Sequence, residues 1–317
     1  MTGVETRSAL WRGERMRAVS NDAAEPDELD EAEAWRIVER CVGVTYAHMR
    51  WLQERGEVLD GSPIDEDDRV FSVMSMREMV RGSIVAALDC LLLACWSLDK
   101  GHAVRGHGHA ALVRSSLSAS TTALWLLDDD QDERRLRGLQ LARAQCLAER
   151  EHVENIAPGF LVQGGPPVGP FVESRRQRVA KVIEDGAALG FGEAMVKAKP
   201  KDKTMVKLGG DRIPPDLLPG GDPGAHVLSE WRLLSARAHG FQWPIKYGAD
   251  EQPHADDPRF VTMDVAVSPD RILGSIRIAL IAGRVALDRY AELAGLDPLD
   301  DVPAPWLPAT WAEQSEQ

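Results

Sequence analysis

The stretch SIVAALDCLLLACWSL, Ser83 to Leu98, is the segment that most limits what this chain can become. It is apolar around nearly the whole helical circumference, so a helix built from it has to be enclosed by other helices. It is short for a bilayer span and carries Asp89 within it. We therefore read it as the central helix of a soluble protein with no membrane partner. Asp89 is then a carboxylate in an apolar helix, which needs a counter-charge such as Arg114 or Arg277.

The rest of the chain supplies the enclosing helices. Trp35, Val38, Cys41, Val42, Tyr46, Met49 and Leu52 recur at steps of three and four, which makes one stripe on a helix from about Asp30 to Glu57. Further helices are expected over about Phe71 to Lys100, His109 to Leu127, Asp130 to Ile156 (stopping before Pro158) and Phe171 to Leu189. A shorter one covers AHVLSEWRLLSARAHG, and a last one runs from about Pro269 to Leu296 with Ile272, Ile276, Ile278, Leu280 and Val285 facing inward. Two Gly-, Pro- and Lys-rich stretches, 190–224 and about 240–268, read as long loops. No strand pairs and no internal repeat stand out. The expectation is an all-α fold: an irregular bundle of about seven helices with two long loops. Residues 1–28 read as a flexible N-terminal arm, 29–298 as a single helical domain and 299–317 as a Pro-rich C-terminal tail.

There are 37 basic and 50 acidic side chains, a net charge of -13. That disfavours broad binding to nucleic-acid phosphates or anionic lipid and leaves room only for a local basic patch. One such patch is KAKPKDKTMVK, five lysines from Lys197 to Lys207: a solvated linker, or a flap that attracts phosphate. Cys41, Cys90, Cys95 and Cys146 contain no Cys-x-x-Cys pair, and we read them as free thiols of a reducing, cytoplasmic setting.

Two constellations carry candidate chemistry. WRLLSARAHG places Arg232 and His239 seven positions apart, almost two helical turns, so they share a face, with Ser235 between them. An Arg with a planar donor fork and a His that exchanges protons near neutral pH suit a phosphate-containing ligand. Alternatively, Arg237 and His239 in a last helical turn, followed by Gly240, make an ordinary helix C-terminus. The Arg-x6-His spacing resembles the motif of HEPN domains, which implies a helical protein that acts on or binds RNA without a cofactor, with Arg232, His239 and Ser235 as the catalytic set. A homodimer fits the same reading.

The second constellation is LWLLDDDQDERRLRG. Asp128, Asp129 and Asp132 form an Asp-Asp-x-x-Asp set whose carboxylates suit Mg²⁺. It resembles the aspartate-rich motif of class I terpene synthases, as Arg289-Tyr290 resembles their Arg-Tyr pair. That implies a Mg²⁺-dependent enzyme acting on a prenyl diphosphate, with those three aspartates as metal ligands. The other reading is a corner between two helices: Asp130 as N-cap, Glu133 completing a capping box, and the acidic side chains facing water. A third function class is a non-catalytic helical interaction module.

A broader resemblance covers Arg114 to Gly240. The order Arg114-x-x-Leu117, then WLLDDDQDERRLRGLQ, then WRLLSARAHG is similar to a family of uncharacterised helical bacterial proteins. Where that family has Glu after the Leu, this chain has Ser118; where it has Tyr, this chain has Trp231. The resemblance implies a helical corner at Asp128 to Asp132 and no particular activity. Two minor sets complete the survey. Glu149-x-x-His152 has the spacing of half a di-iron site, or is surface charge. His102, His107 and His109 lie in a Gly-broken turn and are possible metal ligands.

Overall fold

The computed structural model describes residues 31–99, 104–160, 168–241, 243–246, 251–253, 261–263 and 269–304. The fold is all-α, with ten α-helices among the described residues where about seven were expected. They are α1 (Glu31–Arg55), α2 (Pro63–Asp68), α3 (Met76–Asp99), α4 (Gly106–Leu126), α5 (Gln131–Phe160), α6 (Val168–Ala188), α7 (Glu193–Lys197), α8 (Asp202–Gly210), α9 (Pro223–Ala238) and α10 (Pro269–Leu293). A 3₁₀ turn at Trp243–Lys246 and one antiparallel pair, β1 (Glu251–Pro253) with β2 (Val261–Met263), complete the description. The expected N-terminal arm lies outside the described residues, as does the C-terminal tail beyond Ala304.

Helices α1, α3, α4 and α10 form a ring, each packed on the next, with α3 also crossing to α10. Their facing stripes make the core: Val38, Cys41, Leu52, Ile84, Leu88, Leu91, Val113, Leu117, Leu124, Ile276, Leu280 and Leu287 are all buried. Helices α1 and α3 run antiparallel, since the Cys41 thiol lies against that of Cys95 at one end while Arg81 Nη1 donates to the Gly56 carbonyl at 2.5 Å at the other. Helix α3 starts at Met76 rather than near Phe71 because Ser75 and Glu78 form a capping box. The Glu78 amide donates to Ser75 Oγ (3.1 Å) and the Ser75 amide to Glu78 Oε2 (3.2 Å). Asp89, expected to be buried, sits on the exposed face of α3, so it takes no counter-charge from Arg114 or Arg277.

Helices α5 and α6 form an antiparallel hairpin beside the ring. Glu149, half of the di-iron spacing, instead receives Arg175 (2.7 Å) and Arg178 (3.0 Å) from α6, and His152 is exposed. Helix α5 continues through Pro158 to Phe160, because a proline in the last turn removes only one intrahelical donor. The stretch 190–224, expected as a loop, contains α7 and α8. Both are too short to hold alone, and each is fixed by one buried apolar side chain, Val196 and Val206. Gly209 and Gly210, which read as loop signals, are where α8 crosses its neighbours. A Cβ on Gly209 would stand 2.2 Å from the Thr121 carbonyl oxygen of α4. The chain after α10 packs as well. Leu299 and Val302 are buried, and Arg284 donates to the Leu299 (2.9 Å) and Val302 (2.8 Å) carbonyls.

Candidate functional site

The acidic corner between α4 and α5 is a web of arginines. Leu127 closes α4, and Asp130 is the N-cap of α5, accepting from the Glu133 amide at 2.9 Å. The return half of the capping box is made by Asp128, whose Oδ1 accepts from the Asp130 amide at 3.0 Å, which leaves Glu133 to bind Arg137 at 2.8 Å. Asp128 is buried rather than turned to water, and its other oxygen takes Arg137 (2.8 Å) and Arg212. Burial alone would raise its pKa; the Arg212 hydrogen bond, the Asp130 amide and the Arg137 charge hold it below the usual carboxylate value. Asp129 takes Arg212 (2.8 Å) from the end of α8 and Arg289 from α10. Asp132 stands exposed in the first turn of α5, away from this web.

The web continues inward. Arg134 donates through Nη1 to the Asp128 carbonyl (2.9 Å) and through Nε to Asp67 Oδ2 (2.5 Å), and Arg135 binds the other Asp67 oxygen at 2.8 Å. Asp67 and Arg134 are both fully buried. Guanidiniums thus occupy Asp128 and Asp129, two of the three carboxylates proposed for Mg²⁺. Tyr290 is spent elsewhere, donating to the Gly56 carbonyl at 2.7 Å. Among the described residues no cluster of three His, Cys, Asp or Glu side chains is arranged to hold a metal ion. His109 is buried and accepts the Arg105 amide on Nδ1 (2.8 Å), so its Nε2 faces Ser97 Oγ at 2.8 Å as the donor. Exposed His107 hydrogen-bonds the Arg237 carbonyl at 2.6 Å; His102 lies outside the described residues.

Arg232, Ser235 and His239 do lie on one helix, α9, with His239 as its C-cap residue and Gly240 at φ +71° behind it. Arg232 and His239 are both exposed, Ser235 is half-buried, and the His239 ring neighbours Phe241 at 6.1 Å. The helix C-terminus expected as the alternative is therefore present. Among the described residues no hydrogen bond or ion pair joins the three side chains.

A better-formed recess lies one face away, between α4 and α8. It has a volume of about 330 Å³ and is lined by Arg114, Ser115, Ser118, Thr122, Asp202 and Met205. Trp231 of α9 stands beside it: the Arg114 guanidinium lies 5.3 Å from the Trp231 ring, and Trp231 Nε1 donates to Ser118 Oγ at 2.7 Å. Among the described residues Arg114 makes no ion pair, and its buried Nε has no hydrogen-bond partner. The Ser115 and Thr122 hydroxyls donate to carbonyls one turn back, at 2.8 Å each, so their oxygens keep accepting capacity. Ser118 Oγ accepts from the indole and retains its own proton for another acceptor. The lysine run spans α7, α8 and the link between them. Lys197 pairs with Glu193 and Lys207 with Asp211, whereas Lys199, Lys201 and Lys203 are exposed and lack a carboxylate within ion-pair reach among the described residues.

Compared with protein families, curated proteins and solved structures, the chain matches none.

The site therefore rests on its own geometry, which picks out residues that sequence spacing could not. Arg114, Ser118 and Trp231 are more than a hundred residues apart in part, and only the α4–α9 packing joins them.

Proposed function

We propose that the protein binds a phosphate-bearing small molecule in the recess between α4 and α8. The observation that carries this is Arg114: a guanidinium with no ion pair among the described residues and a buried, unpartnered Nε, stacked on Trp231 at the wall of a recess lined by three hydroxyls and the Asp202 carboxylate. A charged donor fork held in place by ring stacking is pre-organised for a phosphate oxygen, and Ser118 adds a hydroxyl donor beside it. Lys199, Lys201 and Lys203 add local positive charge to a chain whose net charge is -13, so the attraction is confined to this face. The volume suits a mononucleotide-sized ligand rather than a polymer.

The same reading gives the HEPN-like set a defined place. Arg232, Ser235 and His239 share α9 with Trp231, so an RNA strand anchored near Arg114 would run along them. The test separates the two. Inorganic pyrophosphate and a panel of mononucleotides should raise the melting temperature of the native chain but not of Arg114→Gln. Labelled RNA incubated with the protein in EDTA should remain intact. Cleavage that is abolished by His239→Ala would move the function to α9 and to the ribonuclease reading. No shift with any phosphate-bearing probe would remove the proposal.

A further inference from the structure

The recess between α4 and α8 carries opposite charges on its two walls. Arg114 belongs to the α4 wall and Asp202 to the first turn of α8. Both line the same space of about 330 Å³, yet they make no ion pair with each other. Among the described residues Asp202 has no other ion pair, and its carboxylate accepts no hydrogen bond. The dipole of α8 gains from an acidic residue in the first turn without direct contact, which leaves the carboxylate oxygens open to a ligand. Between the two charges the lining divides by hydrogen-bond role. Arg114 and Ser118, one turn apart on α4, are donors, since Ser118 Oγ already accepts from the Trp231 indole at 2.7 Å. Ser115 and Thr122 already donate to carbonyls one turn back, at 2.8 Å each, so toward the recess they accept. Arg114 and Thr122 stand roughly 12 Å apart along α4. Ala119, Met205 and Val206 supply the apolar part of the lining, and among the described residues no aromatic side chain contributes to it.

We propose that the recess selects a phosphorylated amino sugar, with its phosphate on Arg114 and Ser118 and its protonated amine on Asp202. The inference rests on the phosphate reading of this site and adds the group at the other end of the ligand. A phosphate ester alone brings negative charge into a space that already holds an unpaired carboxylate. A ligand that also carries a cation turns that repulsion into attraction and meets both charges at once. An ammonium only donates, as a carboxylate only accepts. The skeleton between the two groups follows from the rest of the lining. Sugar hydroxyls donate to the Ser115 and Thr122 oxygens, and the C–H surface of the ring meets Met205 and Val206. A nucleobase finds no aromatic side chain to stack on there. A two-carbon amine such as phosphoethanolamine leaves the Ser115 and Thr122 oxygens unused and most of the space to water.

Isothermal titration of the full chain with glucosamine 6-phosphate and with glucose 6-phosphate tests it, since the two differ only in an amine that replaces one hydroxyl. With the amine protonated, the native protein should bind the amino sugar phosphate about fivefold tighter, the upper end for an ion pair open to solvent. N-acetylglucosamine 6-phosphate, whose nitrogen is uncharged, should bind no tighter than glucose 6-phosphate. Asp202→Asn should abolish the preference by weakening the amino sugar phosphate alone, with an unchanged far-UV circular dichroism spectrum, as befits an exposed side chain. Asp202→Glu, which keeps the charge, should keep the preference. Arg114→Gln should weaken both sugar phosphates by the same factor. A native chain that binds the two sugar phosphates alike, or a preference that survives in Asp202→Asn, overturns the inference. If inorganic pyrophosphate still binds through Arg114 in that case, the phosphate reading stands without it. Failure of pyrophosphate and both sugar phosphates to bind removes the two together.

Discussion

Neutral His48 should make this protein lose stability from pH 6.5 downward, well above the range in which carboxylates titrate. The side chain lies fully buried on α1, and neither ring nitrogen makes a hydrogen bond. Burial first, and the nearby Arg284 guanidinium second, lower its pKa from 6.5 to about 3; the Pro303 backbone opposes them weakly. Folding therefore requires the neutral imidazole, while the unfolded chain binds a proton once the pH falls below 6.5. The stabilisation is complete above that value and declines as pH drops, at about 1.4 kcal/mol per unit, until the folded pKa near 3 is reached. At pH 5, 1.5 units below 6.5, the loss from this one residue is about 2 kcal/mol. Urea unfolding of the native chain and of His48→Leu at pH 7.5, 6 and 5 isolates it, because other groups titrate alike in both proteins. The substitution breaks no hydrogen bond, so at pH 7.5 the variants should differ little. At pH 5 His48→Leu should be the more stable by about 2 kcal/mol relative to its pH 7.5 difference. A difference that does not change with pH would refute the reasoning.

Asp67→Asn should be severely destabilising, because it leaves the buried Arg134 guanidinium without its counter-charge. About 3–5 kcal/mol is expected, read as a fall of roughly 10 °C in a thermal melt; a fall under about 2 °C would contradict the burial of that pair. Gly209→Ala should cost about 1–3 kcal/mol, since its Cβ meets the Thr121 backbone and α8 has to move off α4; an unchanged melting temperature would mean the crossing is loose. Millimolar Mg²⁺ should leave the melting temperature where it is, because arginines occupy Asp128 and Asp129. A Mg²⁺-dependent rise that disappears in Asp128→Ala with Asp132→Ala would reopen the diphosphate reading.

The long helices were legible because each carries a stripe at helical spacing, and a stripe names both the element and its inner face. The short ones were not. Helices α7 and α8 have neither length nor a full stripe, and their Gly and Lys content reads as loop until Val196 is seen against α6, and Val206 and the Gly209 crossing against α4. The acidic corner was half legible. Asp130 announces an N-cap, but the arginines that hold Asp128 and Asp129 come from α5, α8 and α10, and no local pattern says that Arg212 and Arg289 converge there. Asp89 misled for a related reason: its helix reads as buried on every side, while the apolar residues around it lie on a face that the chain itself leaves open. The candidate recess was least legible, since its key residues acquire meaning only from the absence of a partner, as at Arg114, or from a contact across 113 residues, as at Ser118 and Trp231.

Isothermal titration of inorganic pyrophosphate into the native chain, Arg114→Gln and Arg232→Gln addresses the central claim most directly. A charged hydrogen bond is worth about 1.5–3 kcal/mol, so Arg114→Gln should weaken binding roughly 10- to 100-fold. Arg232→Gln, on the outer side of α9, should leave affinity within about twofold of the native chain. Affinity that is indifferent to Arg114 and lost in Arg232→Gln would contradict the account and place the phosphate site on α9 instead.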